Sequence, residues 1–223
     1  EAVRDLVLVR VQLPDGSVGW GECSALALPT YTSEYTAGAW AVLRDVLVPG
    51  LLAADGSPTA AVDVVGHHMA SAALSTACLD ADLRRRGVSL AVDLGVRHGR
   101  PAESVAVGVV VGRSGSIDDL LAAVAAHVDD GAALIKLKVT PHPQDLAGAR
   151  AVREAWPDLP LAVDGNGTLD ARSVSVLAGL SLAYVEQPAP AEELLASAAH
   201  AGRLGVPVAL DESITSVASL EVA

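Results

Sequence analysis

Hydrophobic residues recur at every second position in two short segments near the start of the chain. LVLVRVQL alternates apolar and polar side chains over residues 6–13, the turn sequence PDGS follows, and VGWGEC ends at residue 23. Alternation with a period of two is typical of a strand with one buried face, and an Asp-Gly turn between two such runs is typical of a hairpin. We therefore predict an antiparallel hairpin over residues 6–23.

The next clear pattern has the period of a helix. After a polar, threonine-rich segment at 24–36, HMASAALSTACLDADLRRRG (68–87) places apolar residues at helical spacing and ends in three arginines and a glycine. Basic residues in the last turn and a glycine after it are typical of a helix C-terminus. A hairpin followed by helices predicts a small α+β domain over residues 1–100. The alternating pattern begins just after Glu1, so we expect the first strand of this domain to be incomplete.

From residue 105 onward, short apolar runs alternate with amphipathic stretches rich in Ala and Leu. The apolar runs are VAVGVVVG, ALIKLKV, LPLAVDGN, LAYVEQP and VPVALDES. The stretches between them predict helices near 116–130, 143–156, 169–179, 190–203 and from 216 onward. Apolar strands that alternate with helices are typical of a parallel sheet buried on both faces. Residues 101–223 are therefore predicted to supply five strands of a (β/α) barrel, or part of a doubly wound sheet.

Composition narrows the functional classes. The chain has 223 residues, of which 51% are hydrophobic, and a formal net charge of −12, which disfavours nucleic acid and anionic membranes as partners. No apolar run of about 18 residues argues for a membrane span, and the N-terminus does not resemble a signal peptide. The two cysteines form neither a disulfide framework nor a zinc spacing, so a reducing, cytoplasmic location is expected.

Two lysines lie one residue apart in the apolar strand ALIKLKVT (133–140). Side chains alternate between the two faces of a strand, so Lys136 and Lys138 are predicted to point to the same side. Ammonium groups are seldom buried without a partner or a chemical role. This pair is therefore the first candidate for a functional site.

Three further strands end in acidic residues. LAVDGN ends in Asp164 with Asn166 after it, AYVEQP ends in Glu186, and VALDES ends in Asp211 followed by Glu212. A single Asp after a strand is usually the N-cap of the next helix. Charged ends on consecutive strands are harder to explain by capping. Consecutive parallel strands of a barrel are neighbours, so we expect these residues to meet the lysines at one rim.

Three carboxylates that converge in a partly desolvated site would repel one another, and a divalent cation removes that conflict. Oxygen ligands without Cys or His favour a hard ion, so Mg²⁺ is the expected cofactor, with Mn²⁺ as a substitute. A nearby cation, together with the charge of the other lysine, is expected to lower the pKa of a lysine ammonium. An amine base beside a metal suits removal of a proton from the carbon next to a carboxylate.

At these motifs the sequence resembles the enolase superfamily in its muconate-lactonizing subgroup. KLK resembles the K-x-K motif of that subgroup, and VDGN, VEQP and LDES resemble its three metal-binding strand ends. Further stretches, at 19–40, 67–87 and 211–217, are similar to the o-succinylbenzoate synthases and the related N-succinylamino acid racemases. The resemblance implies an α+β capping domain that precedes a modified (β/α)₇β TIM-like barrel, and a cap loop around Cys23 to Thr32 that closes over the substrate.

The resemblance also implies roles for individual residues. It makes Lys138 the acid/base and Lys136 its electrostatic partner. It makes the carboxylates of Asp164, Glu186 and Asp211 the Mg²⁺ ligands. Asn166 and Glu212 are implied to be polar residues near the metal or the substrate.

For a synthase, the implied reaction is the syn dehydration of a cyclohexadiene carboxylate through an enediolate intermediate, in menaquinone biosynthesis. For a racemase, reprotonation from the opposite face would follow the same proton removal, and one protein with both activities is a further alternative. The expected partner is a small-molecule carboxylate, and the chain is a candidate homo-oligomer.

One departure affects this expectation. The family carries another lysine on the strand after VALDES, and the sequence stops at Ala223, ahead of that strand. Five strands leave an open sheet edge, so we expect these residues to be part of a longer chain. An inactive, truncated fragment that acts only as a binding module is the alternative from another functional class.

Overall fold

The structure is a computed structural model that describes residues 3–54 and 64–222 of the chain. The chain divides into two compact units, Glu1–Glu103 and Ser104–Ala223. Each unit has its own cluster of buried apolar side chains.

The first unit begins with an antiparallel hairpin of strands β1 (Val7–Gln12) and β2 (Val18–Cys23), as the alternation predicts. Gly16 allows the tight turn because its φ of 89° lies in the left-handed region that other residues avoid. The valines of β1 face the core of this unit, and Cys23 at the end of β2 is buried there as well.

Helix α3 (His68–Arg86) packs directly against β2, at the place where the helical pattern predicts a helix. A β-carbon at Gly19 would lie 2.8 Å from the Cα of Ala81, and one at Gly21 would lie 2.8 Å from the carbonyl carbon of Ala73. Glycine on the strand and alanine on the helix therefore allow the two backbones to approach closely. The helix ends at Gly87, which has a φ of 64° and donates to the carbonyl of Arg84.

Helix α1 (Thr36–Val42), a π-helical segment (Leu43–Leu47) and helix α2 (Val48–Ala53) follow one another without a break. Pro49 lies just after the π-helical segment and has no N–H to continue the regular ladder. The remaining helix of the unit is α4 (Leu90–His98), which Ser89 caps by accepting a hydrogen bond from the N–H of Val92.

The expectation that no segment is long and apolar enough to span a membrane needs a correction. The continuous helix Thr36–Ala53 has 18 residues and a mean hydropathy of 1.3, so it passes that test by length and composition. However, an ion pair between Arg44 and Asp45 lies in the middle of the helix, and Leu43 and Leu47 are buried in the core of the unit. These features are typical of an amphipathic core helix.

The second unit is built on one parallel sheet whose strands pair in chain order. Its strands are β3 (Gly108–Val111), β4 (Leu134–Lys138), β5 (Leu161–Asp164), β6 (Val185–Glu186) and β7 (Val208–Ala209). The helices that follow them are α5 (Ile117–Asp129), α6 (Pro143–Ala155), α7 (Ala171–Leu177), α8 (Leu194–Leu204) and α9 (Val217–Val222). This alternation is the partial barrel that the sequence predicts.

The core of the second unit lies between the sheet and its helices. Ile135 of β4 and Val163 of β5 are completely buried there, together with Val124 of α5 and Val152 of α6. These apolar side chains hold the sheet and the helices of the second unit together.

Candidate active site

The charged strand ends of the second unit form one row across three neighbouring strands. Lys138 is the register partner of Asp164, and Asp164 is the register partner of Glu186. Because the strands are parallel, their carboxyl ends lie at the same edge of the sheet. Residues separated by a whole βα unit in the sequence are thereby brought into one line.

Lys136 is paired with Glu186. Its Nζ donates to both carboxylate oxygens of Glu186 at 2.6 Å and lies 3.8 Å from Oδ2 of Asp164. The two side chains are only 16% and 15% exposed, so solvent screens the pair weakly.

The carboxylates around Lys136 act against the lowering of its pKa that a nearby cation would cause. Burial by itself lowers the pKa of Lys136, but the hydrogen bonds and charge of Glu186, together with the charge of Asp164, outweigh burial and raise that pKa above its ordinary value. The cause is that the ammonium faces carboxylates more closely than it faces another cation.

Lys138 lies two residues after Lys136 on the same face of β4, and its side chain is 35% exposed. Its Nζ donates to Oδ2 of Asp164 and, at 2.9 Å, to Oδ1 of Asn166. Asp164 itself is almost completely buried and also accepts from the N–H of Asn166 at 2.9 Å. Lys138 is therefore the more accessible of the two amines. Its hydrogen-bond partners, Asp164 and Asn166, are residues that the sequence analysis predicted at this rim.

Asn166 extends the site toward the segment after β7. Its Nδ2 donates to Oε1 of Glu212 at 3.0 Å, and its φ of 40° places this non-glycine residue in the left-handed region. Asparagine tolerates that region better than most residues. A polar chain thus runs from Lys138 through Asn166 to Glu212.

Asp211 is the predicted site residue that the structure does not bring into this cluster. Its side chain is exposed, and its N–H donates to Oε1 of Gln187 at 2.9 Å. Within residues 3–54 and 64–222, no group of three or more His, Cys, Asp or Glu side chains is gathered as metal ligands. Asp164 and Glu186 are instead hydrogen-bonded to Lys138 and Lys136.

The donor chemistry of the rim nevertheless fits a hard divalent cation. Asp164, Glu186 and Asp211 offer carboxylate oxygens, and Asn166 adds an amide oxygen. In addition, Oε2 of Glu212 is buried and has no hydrogen-bond partner among the residues that the structure describes. A buried carboxylate oxygen without a donor is costly, and a cation would satisfy it.

A second polar cluster, which the sequence did not reveal, braces the loop after Lys138. Oδ2 of Asp145 accepts from the N–H of Thr140 at 3.0 Å, from the Thr140 hydroxyl at 2.6 Å and from Nε of Arg113 at 2.7 Å. Arg113 belongs to the VGRSGS turn after β3, so this arginine serves to join two loops. The spacing of these residues carries no recognisable motif, and only the fold brings them together.

The first unit contains another buried carboxylate that the sequence did not reveal. Glu34 accepts from the N–H groups of Met69 and Ala70 at 2.6 and 3.1 Å, and the residue is 4% exposed. These amides lie in the first turn of α3, where backbone donors have no partner within the helix. Glu34 therefore anchors the loop at 24–36 to α3.

A comparison with protein families identifies the second unit. Residues 119–223 match the family model described as enolase C-terminal domain-like. This part of the chain belongs to the enolase superfamily. The resemblance to the superfamily is thereby confirmed, and with it the assignment of the second unit as part of a barrel of the superfamily.

Relatives with named activities resemble almost the whole chain. An N-succinylamino acid racemase from Amycolatopsis sp is 42% identical over 97% of this chain and 60% of its own length. An o-succinylbenzoate synthase from Geobacillus kaustophilus is 35% identical over 96% of this chain and 58% of its own length. The chain thus spans about three fifths of the length of the enolase-superfamily enzymes it matches.

Solved structures show the same relationship. A probable mandelate racemase from Alicyclobacillus acidocaldarius superposes with a TM-score of 0.84 at 35% identity, over 98% of this chain and 60% of that one. The muconate lactonizing enzyme from Pseudomonas putida gives a TM-score of 0.83 at 26% identity, over 97% of this chain and 63% of that one. Both units therefore have counterparts in superfamily enzymes.

Proposed function

We propose that the protein is an Mg²⁺-dependent o-succinylbenzoate synthase, a carbon–oxygen lyase that dehydrates a cyclohexadiene carboxylate in menaquinone biosynthesis. The single observation that supports this most is the row formed by Lys138, Asp164 and Glu186 across neighbouring strands. This row places a lysine amine beside protein carboxylates at one rim. A lysine in this position can act as the base that removes a proton from the carbon next to a substrate carboxylate. Relatives named o-succinylbenzoate synthase support the choice of substrate class.

Each charged residue of the rim has a separate role in this proposal. Lys138, the more exposed amine, removes the α-proton and returns it to the departing hydroxyl. Lys136, held by Glu186, keeps a positive charge beside the substrate carboxylate. The carboxylates of Asp164, Glu186 and Asp211 would hold Mg²⁺, with Asn166 and Glu212 as polar neighbours. When bound, Mg²⁺ supplies electrophilic stabilisation of the negative charge that develops on the substrate.

The second candidate function is racemisation of N-succinyl amino acids. The observation that favours it is the 42% identity to the Amycolatopsis racemase, which exceeds the 35% identity to the Geobacillus kaustophilus synthase. Both reactions begin with the same removal of a proton. They differ in the second step, because racemisation also needs a proton donor on the opposite face.

The two candidates are separated by their substrates. We would incubate the full-length protein and Mg²⁺ with the cyclohexadiene carboxylate of the synthase and, separately, with single enantiomers of N-succinyl amino acids in D₂O. Formation of 2-succinylbenzoate supports the synthase. Racemisation with deuterium incorporation, without turnover of the cyclohexadiene, would replace the synthase with the racemase.

The alternative of an inactive binding module is tested by metal binding. We expect calorimetry to detect Mg²⁺ binding to the wild-type protein and to Gln144→Met, which serves as the control. Binding should be lost in Asp164→Ala, Glu186→Ala and Asp211→Ala, because each removes one charged oxygen ligand. Failure of the wild-type protein to bind Mg²⁺ or Mn²⁺ would favour the binding module.

The remaining features of the proposal are a small-molecule carboxylate as partner and a cytoplasmic location. A net charge of −12 supports the absence of nucleic-acid and membrane partners. Self-association into a homo-oligomer completes the proposal. Sedimentation of the full-length protein would measure it directly.

A further inference from the structure

Gln187 is a completely buried amide at the end of β6, directly after Glu186. Its φ of 34° lies in the left-handed region, which is unfavourable for a residue with a side chain. A strained, buried, polar residue beside a candidate catalytic row needs a physical explanation. The hydrogen bonds of the Gln187 side chain explain why this residue is kept in that position.

Every hydrogen-bonding position of the Gln187 amide is used. Nε2 donates to the carbonyl of Ala189 at 2.9 Å and to the hydroxyl of Ser213 at 2.7 Å. Oε1 accepts from the N–H of Asp211 at 2.9 Å and from the N–H of Ser213 at 3.2 Å. A primary amide has two N–H donors and two acceptor positions, so the group is fully satisfied.

These bonds begin where pairing between the strands ends. Glu186 is the register partner of Ala209, and the N–H of Gln187 donates to the carbonyl of Ala209 at 2.8 Å. Beyond that point the Gln187 side chain holds the backbone of Asp211 and Ser213. The side-chain amide thus continues the hydrogen bonding of the sheet past the last pair of the ladder.

We propose that Gln187 is a positioning residue that fixes the 211–213 segment against the end of β6. The segment carries Asp211 and Glu212, so its placement decides where two carboxylates lie relative to Asp164 and Glu186. The fixing of the backbone stands on the hydrogen bonds alone. Only its consequence for metal binding rests on the proposed function.

The first test uses amide hydrogen exchange measured by NMR on the full-length protein. Gln187→Met keeps the length of the side chain and removes all four hydrogen bonds. We expect the protection factors of the Asp211 and Ser213 amides to fall at least about tenfold, while those of Ile135 and Val185 in the strands stay unchanged. Gln144→Met is the matched control, because the Gln144 amide makes one exposed bond, to the carbonyl of Gly115 at 2.8 Å.

A second variant keeps the test decisive if Gln187→Met does not fold. Gln187→Glu retains the two accepted bonds, and on protonation its carboxyl group regains one donor. In the ionised variant, the oxygen that replaces Nε2 faces the carbonyl of Ala189 and is repelled by it. Protection of Asp211 and Ser213 should therefore be low at neutral pH in this variant and rise as the pH is lowered, and the wild-type protein should show no such rise. A general loss of packing would give no such rescue.

Mg²⁺ calorimetry on the same variants links the position of the segment to the metal. We expect the Kd for Mg²⁺ to weaken at least about tenfold in Gln187→Met and to stay unchanged in Gln144→Met. Unchanged protection of Asp211 and Ser213, or an equal loss at Ile135 and Val185, would overturn the positioning role. A confined loss of protection in a protein that binds no Mg²⁺ would uphold that role and reject the proposed function.

Discussion

The backbones of β2 and α3 pack closely together, and a single added methyl group tests this contact. In Gly21→Ala, the new β-carbon would lie 2.8 Å from the carbonyl carbon of Ala73 and 3.0 Å from the backbone nitrogen of Ala77. Carbon atoms in contact prefer separations of about 3.5–4.0 Å. The obstructing atoms belong to the helix backbone, so no side-chain rotation can relieve the clash.

The expected cost follows from that geometry. Overpacking a well-packed core typically costs about 1–3 kcal/mol, and more where the backbone has to move. We therefore expect Gly21→Ala to lower the free energy of unfolding by about 3 kcal/mol or more. The separation of β2 from α3 would also disturb the nearby loop at 24–36, which Glu34 ties to the start of α3.

Urea unfolding followed by tryptophan fluorescence measures this cost. Gly202→Ala is the control, since no described residue outside its own helical turns lies within 4 Å of its β-carbon position in α8. Replacing glycine by alanine inside a helix stabilises it by roughly 0.5–1 kcal/mol, so the same substitution should have the opposite sign there. A Gly21→Ala protein as stable as the wild type would refute the backbone contact.

Three further predictions concern single charged groups. Lys138→Ala should slow α-proton exchange, followed by NMR in D₂O, by about 10²–10⁴-fold, with Mg²⁺ affinity retained; exchange at the wild-type rate would remove Lys138 as the base. Glu34→Ala should lower the free energy of unfolding by about 2–3 kcal/mol in urea, because two buried amides lose their acceptor, and Glu34→Gln, which keeps one acceptor oxygen, should cost less. The N–H of Trp20, with help from Arg84, holds the pKa of Asp80 below its ordinary value. This carboxylate therefore stabilises the fold above its unfolded pKa of about 3.9 and loses that effect as pH falls through the folded pKa, so Asp80→Asn should flatten the acid side of the stability–pH curve.

Charged residues at strand ends could be read from the sequence because they are local signals. Lys136 and Lys138 share a face as a consequence of the two-residue period of a strand. Asp164 and Glu186 follow apolar runs, and a parallel sheet places such ends at one edge. The superfamily resemblance rests on these same positions.

The pairing of those charges could not be read in the same way. The spacing of the residues did not indicate that Glu186 holds Lys136 and raises its pKa. Which carboxylate meets which ammonium depends on register between strands and on side-chain rotamers. Neither quantity is visible in the spacing of residues along the chain.

Residues that act through loops were the hardest to foresee. Gln187 bonds to Asp211 and Ser213, which lie more than 20 residues further along the chain. Asp145, in the first turn of α6, binds Arg113 in the loop after β3, 32 residues earlier, and Thr140 in the loop after β4. In the sequence, a glutamine or an aspartate at such a position looks like an ordinary surface residue. Its partners become apparent only when the fold brings the loops together at the carboxyl edge of the sheet.

By itself, the sequence determined the hairpin, the repeated strand–helix units and the set of charged strand ends. Each of these follows from periodicity or from residue type within a short window. Only the tertiary structure decided how Asp211 is placed, which groups surround Lys138 and what the buried amide of Gln187 holds. The physical reason is that register, burial and the return of loops depend on contacts between residues that are distant in the sequence.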